Sequence, residues 1–299
     1  MIYTVTLSPA VDYVVRLDAL VSGAVNRCIR EDVQFGGKGI NVSRVLHQLG
    51  IKTTALGFVA GFTGQALEQG LQAMGIPTRF IAASEGMTRI NVKINAGMET
   101  EINGIGPQIN SGEMEQLMAQ LRCAEPGDTV VFSGSLPKCL AAETYGQLMD
   151  CLQSGVSTVV DATGEALRNS LSRKPYLVKP NLQELQDFFE ISMDTKENIL
   201  YAAGQMKEMG ARNVLVSMAS QGAVLLDETG QAYWSAAPQG EVINSVGAGD
   251  SMVAGFLAAV TEGENAEFAL RMGIAAGSAT AFQTGLAEKE KILELLMEM

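Results

Sequence analysis

Thr129-Val-Val-Phe132, Thr158-Val-Val-Asp161 and Tyr176-Leu-Val-Lys179 are three short runs of β-branched and apolar residues, each followed by polar or turn-forming residues. Unbroken apolar runs of this length fit strands buried on both faces, where helices cover the sheet above and below. Ala141–Gln153, between the first two runs, reads as a helix. A strand, a crossover helix and a second strand make a right-handed parallel unit. The stretch 129–181 therefore predicts an α/β protein with a mostly parallel central sheet flanked by helices.

The same rhythm continues in both directions. Tyr3–Leu7, Thr53–Val59 and Asn213–Ser217 read as strands, and residues 223–236 as a hairpin. Helices are expected over 40–49, 64–74, 111–121, 198–209, 248–260, 264–283 and 288–298, the first closed by Gly50. Val42, Val45, Leu46 and Leu49 fall on one face of that first helix, with His47 beside the stripe as a surface or packing residue. Two segments break the rhythm. Residues 12–35 are extended and interrupted at Ser22-Gly23, and residues 88–102 form a hairpin around Asn95-Ala-Gly97. Neither has a helix partner, so together they predict a small β layer, either a lid or a dimerisation surface. Its apolar face is expected to carry Val14, Leu17, Val33, Ile90, Val92 and Ile94, and to need a partner. With no repeat or linker in view, residues 1–299 are expected to form one domain, with the lid at about 12–35 and 88–102.

The chain has 299 residues, 47% hydrophobic and 18% charged, and a net charge of −12. Nucleic acid and anionic membranes both select clustered cations, so neither is expected as a partner. Cys28, Cys123, Cys139 and Cys151 show no paired spacing and His47 is the single histidine, which argues against structural zinc and for free thiols in a reducing cytoplasm. Met1-Ile-Tyr-Thr-Val-Thr-Leu7 lacks the features of a signal peptide, and no apolar run approaches the ~20 residues of a membrane span. If the ligand is an anion, the few cations must gather at its site.

Ligands of open parallel sheets bind beyond the carboxyl ends of the strands. The candidate polar residues collect there: Asp12 after the first strand, Ser133-Gly-Ser135, Asp161, Lys179-Pro-Asn181 and Ser217. Val246-Gly-Ala-Gly-Asp-Ser-Met252 opens a helix, whose unpaired N–H groups and positive dipole end attract anions. A carboxylate at that point suits phosphoryl transfer if it handles a proton, or a plain N-cap if it does not. Phe35-Gly-Gly-Lys-Gly-Ile-Asn41 brings glycines, a cation and an amide to another helix start, without the spacing of a Walker loop. Asn181-Leu-Gln-Glu184 offers oxygens to the water shell of Mg²⁺, or closes a capping box.

Together these motifs resemble the PfkB (ribokinase-like) family of carbohydrate kinases, in the right order over essentially the whole chain. The resemblance implies a ribokinase-like, Rossmann-like α/β fold with a small β-sheet lid, and ATP and Mg²⁺ as cosubstrates. Thr88-Arg-Ile-Asn-Val-Lys93 and Val178-Lys-Pro-Asn181 are similar to the phosphosugar branch, which implies a phosphorylated ketohexose as acceptor. The reaction implied is fructose 1-phosphate + ATP to fructose 1,6-bisphosphate + ADP, with tagatose 6-phosphate or fructose 6-phosphate as the alternative acceptor. By the same resemblance Asp250 is the general base, and Gly247, Ala248 and Gly249 form the anion hole. Asp12, Gly37 and Asn41 bind the sugar, Ser135 is a further substrate-binding residue, and Lys38 and Arg89 pair with the sugar's phosphate, Arg27 being a weaker candidate. Lys179, Asn181, Ser217, Gly222 and Gly249 face the nucleotide, Asn181 and Glu184 order Mg²⁺ through water, and 273–285 borders adenine. In Ser217-Met-Ala-Ser-Gln-Gly222 the family's middle glycine is replaced by Ala219, which predicts backbone strain if φ there is positive. A homodimer through the lid is implied as well. A silent sugar sensor is disfavoured because Asp250, Asn181 and Glu184 are all present. A nicotinamide dehydrogenase is disfavoured because no G-x-G-x-x-G follows the N-terminal strand.

Overall fold

The computed structural model describes residues 1–299. In chain order the strands are β1 (Ile2–Thr6), β2 (Ala10–Arg16), β3 (Arg30–Gly36), β4 (Thr53–Val59), β5 (Thr78–Ala82), β6 (Arg89–Ala96), β7 (Met98–Asn103), β8 (Thr129–Ser133), β9 (Ser157–Asp161), β10 (Leu177–Val178), β11 (Asn213–Ser217), β12 (Ala223–Leu226) and β13 (Ala232–Ser235). Nine of them form the main sheet, ordered β13-β12-β11-β10-β9-β8-β1-β4-β5. Pairing is parallel from β11 through to β5, and the β12–β13 hairpin adds two antiparallel strands at one edge.

Both faces of this sheet are buried, as the apolar runs require. Val131, Val159 and Leu177 point to one face and Val130, Phe132, Val160 and Val178 to the other. The first face is covered by α1 (Lys38–Gln48), α8 (Ala248–Thr261), α9 (Ala266–Ala281) and α10 (Lys289–Glu298). The second is covered by α3 (Ser111–Leu121), α4 (Thr144–Asp150), α5 (Gly164–Leu171), α6 (Leu182–Phe189) and α7 (Lys196–Glu208). The last helix, α2 (Gly61–Ala73), packs Leu67 and Leu71 on Val59, Ile40 and Val11. The stripe Val42, Val45, Leu46 and Leu49 is entirely buried. α8 is apolar on every side because it lies between α1 and α9.

Some elements differ from expectation. The helix expected over 141–153 shortens to 144–150. α5 and β5 were not anticipated. α5 has only two turns, with Leu167 and Leu171 inward, too short for periodicity to separate it from a loop. β5 is a half-exposed edge strand behind Pro77, and its mixed composition gives a weak signal. No helix is long and apolar enough to cross a membrane.

The two rhythm-breaking segments do form one separate sheet, ordered β3-β2-β6-β7. Its register sets Asp12 opposite Gln34 and Asn91, and Val14 opposite Asp32 and Lys93. Side chains alternate along a strand, so one face carries Asp12, Val14, Asn91 and Lys93 and the other Tyr13, Val15, Val33, Val92 and Ile94. Val14 was therefore assigned to the wrong face, and Val15 takes its place. Val15, Leu17 and Ile94 are buried, while Val33 (53% exposed) and Ile102 (60% exposed) leave part of the apolar face open. Asp12 lies within β2, in the extended segment expected from residue 12, after the chain turns at Ser8-Pro9 and leaves the main sheet.

Candidate active site

The polar face of the second sheet overhangs the carboxyl ends of β9, β10 and β11, and the space between is a cleft of ≈ 480 Å³. Asp12, Gly37, Lys38, Asn41, Arg89, Lys179, Asn181, Glu184, Ser217, Gly247, Gly249 and Asp250 all line it. Residues spread over nearly the whole chain thus meet at one place. Arg27 does not join them; it is exposed on the segment between β2 and β3.

At one wall α8 begins. Gly247 is its N-cap, at φ 82, a left-handed conformation that glycine adopts without strain. Asp250 follows in the first turn and is only 5% exposed. Asn41 Nδ2 donates to Asp250 Oδ2 at 2.8 Å, so this amide orients the carboxylate. Burial, and then the negative charge of Asp161, push the Asp250 carboxyl up to about 6, against the Asn41 hydrogen bond, Lys38 and Lys179. The Ala248 N–H donates to the Ser245 carbonyl at 3.2 Å, whereas Gly247 and Gly249 border the cleft itself.

Asp161, at the end of β9, is 1% exposed and lies between two ammonium groups. Lys38 Nζ is 3.4 Å from both of its oxygens, and Lys179 Nζ is 3.4 Å from Oδ1. Burial alone would raise this carboxyl, but Lys179 and Lys38 hold it below its ordinary value. For Lys38, burial would lower the ammonium, yet Asp161, Asp250 and Glu184 hold it above. Sequence reasoning placed Asp161 on the rim without giving it a role, since a carboxylate ending a strand is ambiguous until its partners are known.

Asn181 and Glu184 form the capping box of α6. Asn181 Oδ1 accepts from the Glu184 N–H at 2.8 Å, and Glu184 Oε2 accepts from the Asn181 N–H at 2.9 Å. Both residues also border the cleft, so the cap stands in its wall.

On the overhanging face Asn91 Nδ2 donates to Asp12 Oδ1 at 2.8 Å, and Lys93 Nζ lies 4.0 Å from Asp12 and 3.6 Å from Glu101. Asn91, Lys93 and Glu101 were not singled out from sequence. The period-two pattern of Arg89-Ile-Asn-Val-Lys93 is the signal that could have found the first two, because it sends Arg89, Asn91 and Lys93 to one face. Arg89 Nε is buried without a protein partner, and burial lowers the guanidinium's pKa. A side compartment of ≈ 370 Å³ opens beside it, lined by Ser8, Lys38, Arg89, Ser133, Ser135 and Thr163. Ser133 Oγ is likewise buried and unpartnered. An unpaired guanidinium, an ammonium and hydroxyls around one space suit a phosphate-sized anion.

Beyond Asp250 a third space of ≈ 710 Å³ runs past Ser217, Ala219, Gly222, Ala248, Gly249, Ile274, Gly277 and Phe282. Ile274, Gly277 and Phe282 bring the 273–285 segment to this space. Ala219 has φ 49, so the strain anticipated for this position is present. A left-handed alanine costs about 1–2 kcal/mol, and glycine loses about 0.5–1 kcal/mol of that gain to chain entropy. Ala219→Gly is expected to stabilise the protein by about 0.5–1 kcal/mol, raising Tm by ~1–4 °C. Thermal unfolding checks this, and a lower Tm in the variant would refute it.

Comparison with known proteins bears on this geometry. Residues 5–292 match the pfkB family carbohydrate kinase pattern. The chain is 42% identical to 1-phosphofructokinase of Bacillus subtilis, over 100% of this chain and 98% of that protein. It is 38% identical to D-tagatose-1-phosphate kinase of Bacillus licheniformis, over 98% of this chain and 96% of that protein. It superposes on phosphofructokinase-2 of Escherichia coli, solved in complex with substrates and products, with a TM-score of 0.93 and 31% identity, covering 99% of this chain and 98% of that one.

Proposed function

The chain belongs to the pfkB family of carbohydrate kinases, and from that premise we propose that it transfers the γ-phosphoryl group of ATP to fructose 1-phosphate, giving fructose 1,6-bisphosphate and ADP. The observation that carries this is the buried Asp250 at the start of α8, pushed up to about 6 and aimed by Asn41. A carboxylate with that poise is ionised at neutral pH yet basic enough to take a proton.

Asp12, Gly37 and Asn41 hold the ketohexose hydroxyls, and Asn91 and Lys93 hold Asp12. The acceptor's own phosphate occupies the side compartment with Arg89, Ser135 and Lys38. Asp250 takes the proton of the acceptor's C6 hydroxyl as its oxygen bonds to the γ-phosphorus. The bond from that phosphorus to the bridging oxygen breaks, and ADP leaves. Charge on the phosphoryl oxygens is met by the Gly247 and Gly249 N–H groups, the Ala248 N–H where its turn opens, and the two lysines. Ser217 and Gly222 border the nucleotide.

No cluster of three or more histidine, cysteine, aspartate or glutamate residues is present to cage a metal directly. The donor set fits Mg²⁺, which keeps most of its water: Glu184 spends Oε2 on the cap and has Oε1 for the cleft, with Asn181 beside it. When bound, Mg²⁺ neutralises phosphate charge.

The test is ADP release with Mg²⁺ and ATP across fructose 1-phosphate, tagatose 1-phosphate, fructose 6-phosphate and tagatose 6-phosphate. Fructose 1-phosphate is expected to give the highest kcat/KM; no ADP release with it would overturn the assignment. Tagatose 1-phosphate is the second reading, favoured by the 38% identical relative. With either acceptor, kcat is expected to fall as pH drops through about 6, where Asp250 takes up a proton.

The second sheet serves as a lid, and its open face around Val33 and Ile102 is covered by a second copy of the chain. Sedimentation is expected to give a dimer, and a monomer at working concentration would refute it. The enzyme works in the cytoplasm, where its four unpaired thiols persist. Recovery from a secreted fraction would contradict this.

A further inference from the structure

Two of the cleft's four cations, Lys38 and Lys179, meet on a buried carboxylate that takes no part in the proton transfer. Lys38 opens α1 on the acceptor side and lines both the cleft and the side compartment. Lys179 follows β10 on the nucleotide side, and its ammonium lies 3.1 Å from where a Cβ on Gly249 would stand, against the turn that opens α8. Asp161 is the group they share. Resting on the phosphosugar-kinase reading above, we propose that Asp161 is a positioning residue whose single carboxylate aims Lys38 and Lys179 together at the phosphoryl group in transit, so that the two lysines bridge the acceptor and nucleotide halves of the site.

Stability does not account for this arrangement. Burying the charges of Asp161 and Lys179 is costly, and well-packed apolar side chains of the same volume often serve a core as well or better. The separations are also long. Charge-assisted N–H···O bonds close to about 2.7–2.9 Å, whereas every lysine–Asp161 contact here is 3.4 Å. Each ammonium has three donors, so each retains capacity for another anion. Once Asp250 has taken the acceptor's proton, the two ammonium groups face Asp161 with one positive charge over, just as phosphoryl charge develops.

Asp161 also acts on the base. Asp250 is faced by Asp161 from β9, by Lys38 and Asn41 from α1, and by Lys179 from the end of β10; of these only Asp161 raises it. Neutralising Asp161 removes that anion and frees two cations, and both changes favour ionised Asp250.

The full chain carrying Asp161→Asn or Asp161→Glu is assayed for ADP release between about pH 5 and 9, on whichever sugar phosphate the wild type turns over. Failure of fructose 1-phosphate as acceptor would thus defeat the substrate assignment alone. Asp161→Asn is expected to lower kcat by on the order of 10²-fold, with KM for both substrates within about threefold, and to move the acid limb to lower pH. Asp161→Glu, which keeps the charge one methylene away, is expected to hold the acid limb in place and recover part of kcat. The proposal is overturned if Asp161→Asn retains kcat within about threefold. It is equally overturned if rate is lost while the acid limb stays put, or if added Mg²⁺ restores the loss. Should Asp161→Asn fail to fold, Asp161→Glu decides: a lowered kcat on an unmoved limb supports the proposal, and a wild-type kcat ends it.

Discussion

Asp250→Asn is expected to lower kcat by about 10³–10⁴-fold while leaving substrate affinities within a few-fold, because it removes the proton acceptor and little volume. The amide retains an oxygen for Asn41 Nδ2, so the wall of the cleft stays in place. The same substitution is expected to stabilise the protein at alkaline pH. Asp250 titrates at about 6 in the folded chain against an ordinary 3.8, so folding favours its protonated form. That favourable contribution is complete below about pH 4 and is lost as pH rises through about 6, where the ionised carboxylate is held in a buried, partly anionic setting. Removing the charge therefore adds stability on the order of 2–3 kcal/mol at pH 8 and almost none at pH 4. Tm measured for both proteins at the two pH values checks the sign. Near-wild-type turnover, or a variant less stable at pH 8, would sink the assignment of Asp250 as a buried base.

Gly57→Ala is expected to cost about 4 kcal/mol or more, lowering Tm by roughly 8–16 °C if the protein folds at all. Gly57 has φ 141, and a Cβ built there falls 2.0 Å from the Thr6 carbonyl oxygen and 2.9 Å from its carbon. Both atoms belong to β1, which pairs with β4 at Thr6 and Gly57. No side-chain rotation can relieve the clash, because the obstacle is backbone in the middle of the sheet. The strands would have to part next to Thr6, whose Oγ1 accepts from the Ile40 N–H at 3.0 Å and so anchors the start of α1. Urea and thermal unfolding report the loss, and a Tm within about 2 °C of wild type would refute it.

The main sheet was legible because strands buried on both faces leave apolar runs that little else produces, and helices closed by glycine mark their own ends. Asp250, Asn41 and Asn181 were legible because each stands at a helix start, where few residue types have a physical reason to be. What escaped depends on pairing. Val14 was placed on the wrong face since a one-residue error in strand phase inverts a face, and only the Val14–Asp32 and Val14–Lys93 register fixes it. Asp161 is bound to Lys38 across 123 residues of chain, a separation over which no local pattern carries information. Asn181 and Glu184 were open between cap and ligand, and the geometry shows a cap whose two members also border the cleft.

The path of the chain between the two sheets has one more consequence. β3 ends at Gly36, α1 begins at Lys38, and Gly37 is all that separates them. Asp12 Oδ2 stands over Gly36, 2.9 Å from where its Cβ would be, and Gly37 is pressed on Thr6. From Lys38 to Asn41 is less than one turn of helix, about 4.5 Å of rise. Asp12 and Asn41 are therefore held apart by one strand pairing and one short run of chain, as the jaws of a gauge are, whatever the outer strand β7 does. With these two residues in the roles proposed for them, that fixed spacing gauges the length of the acceptor.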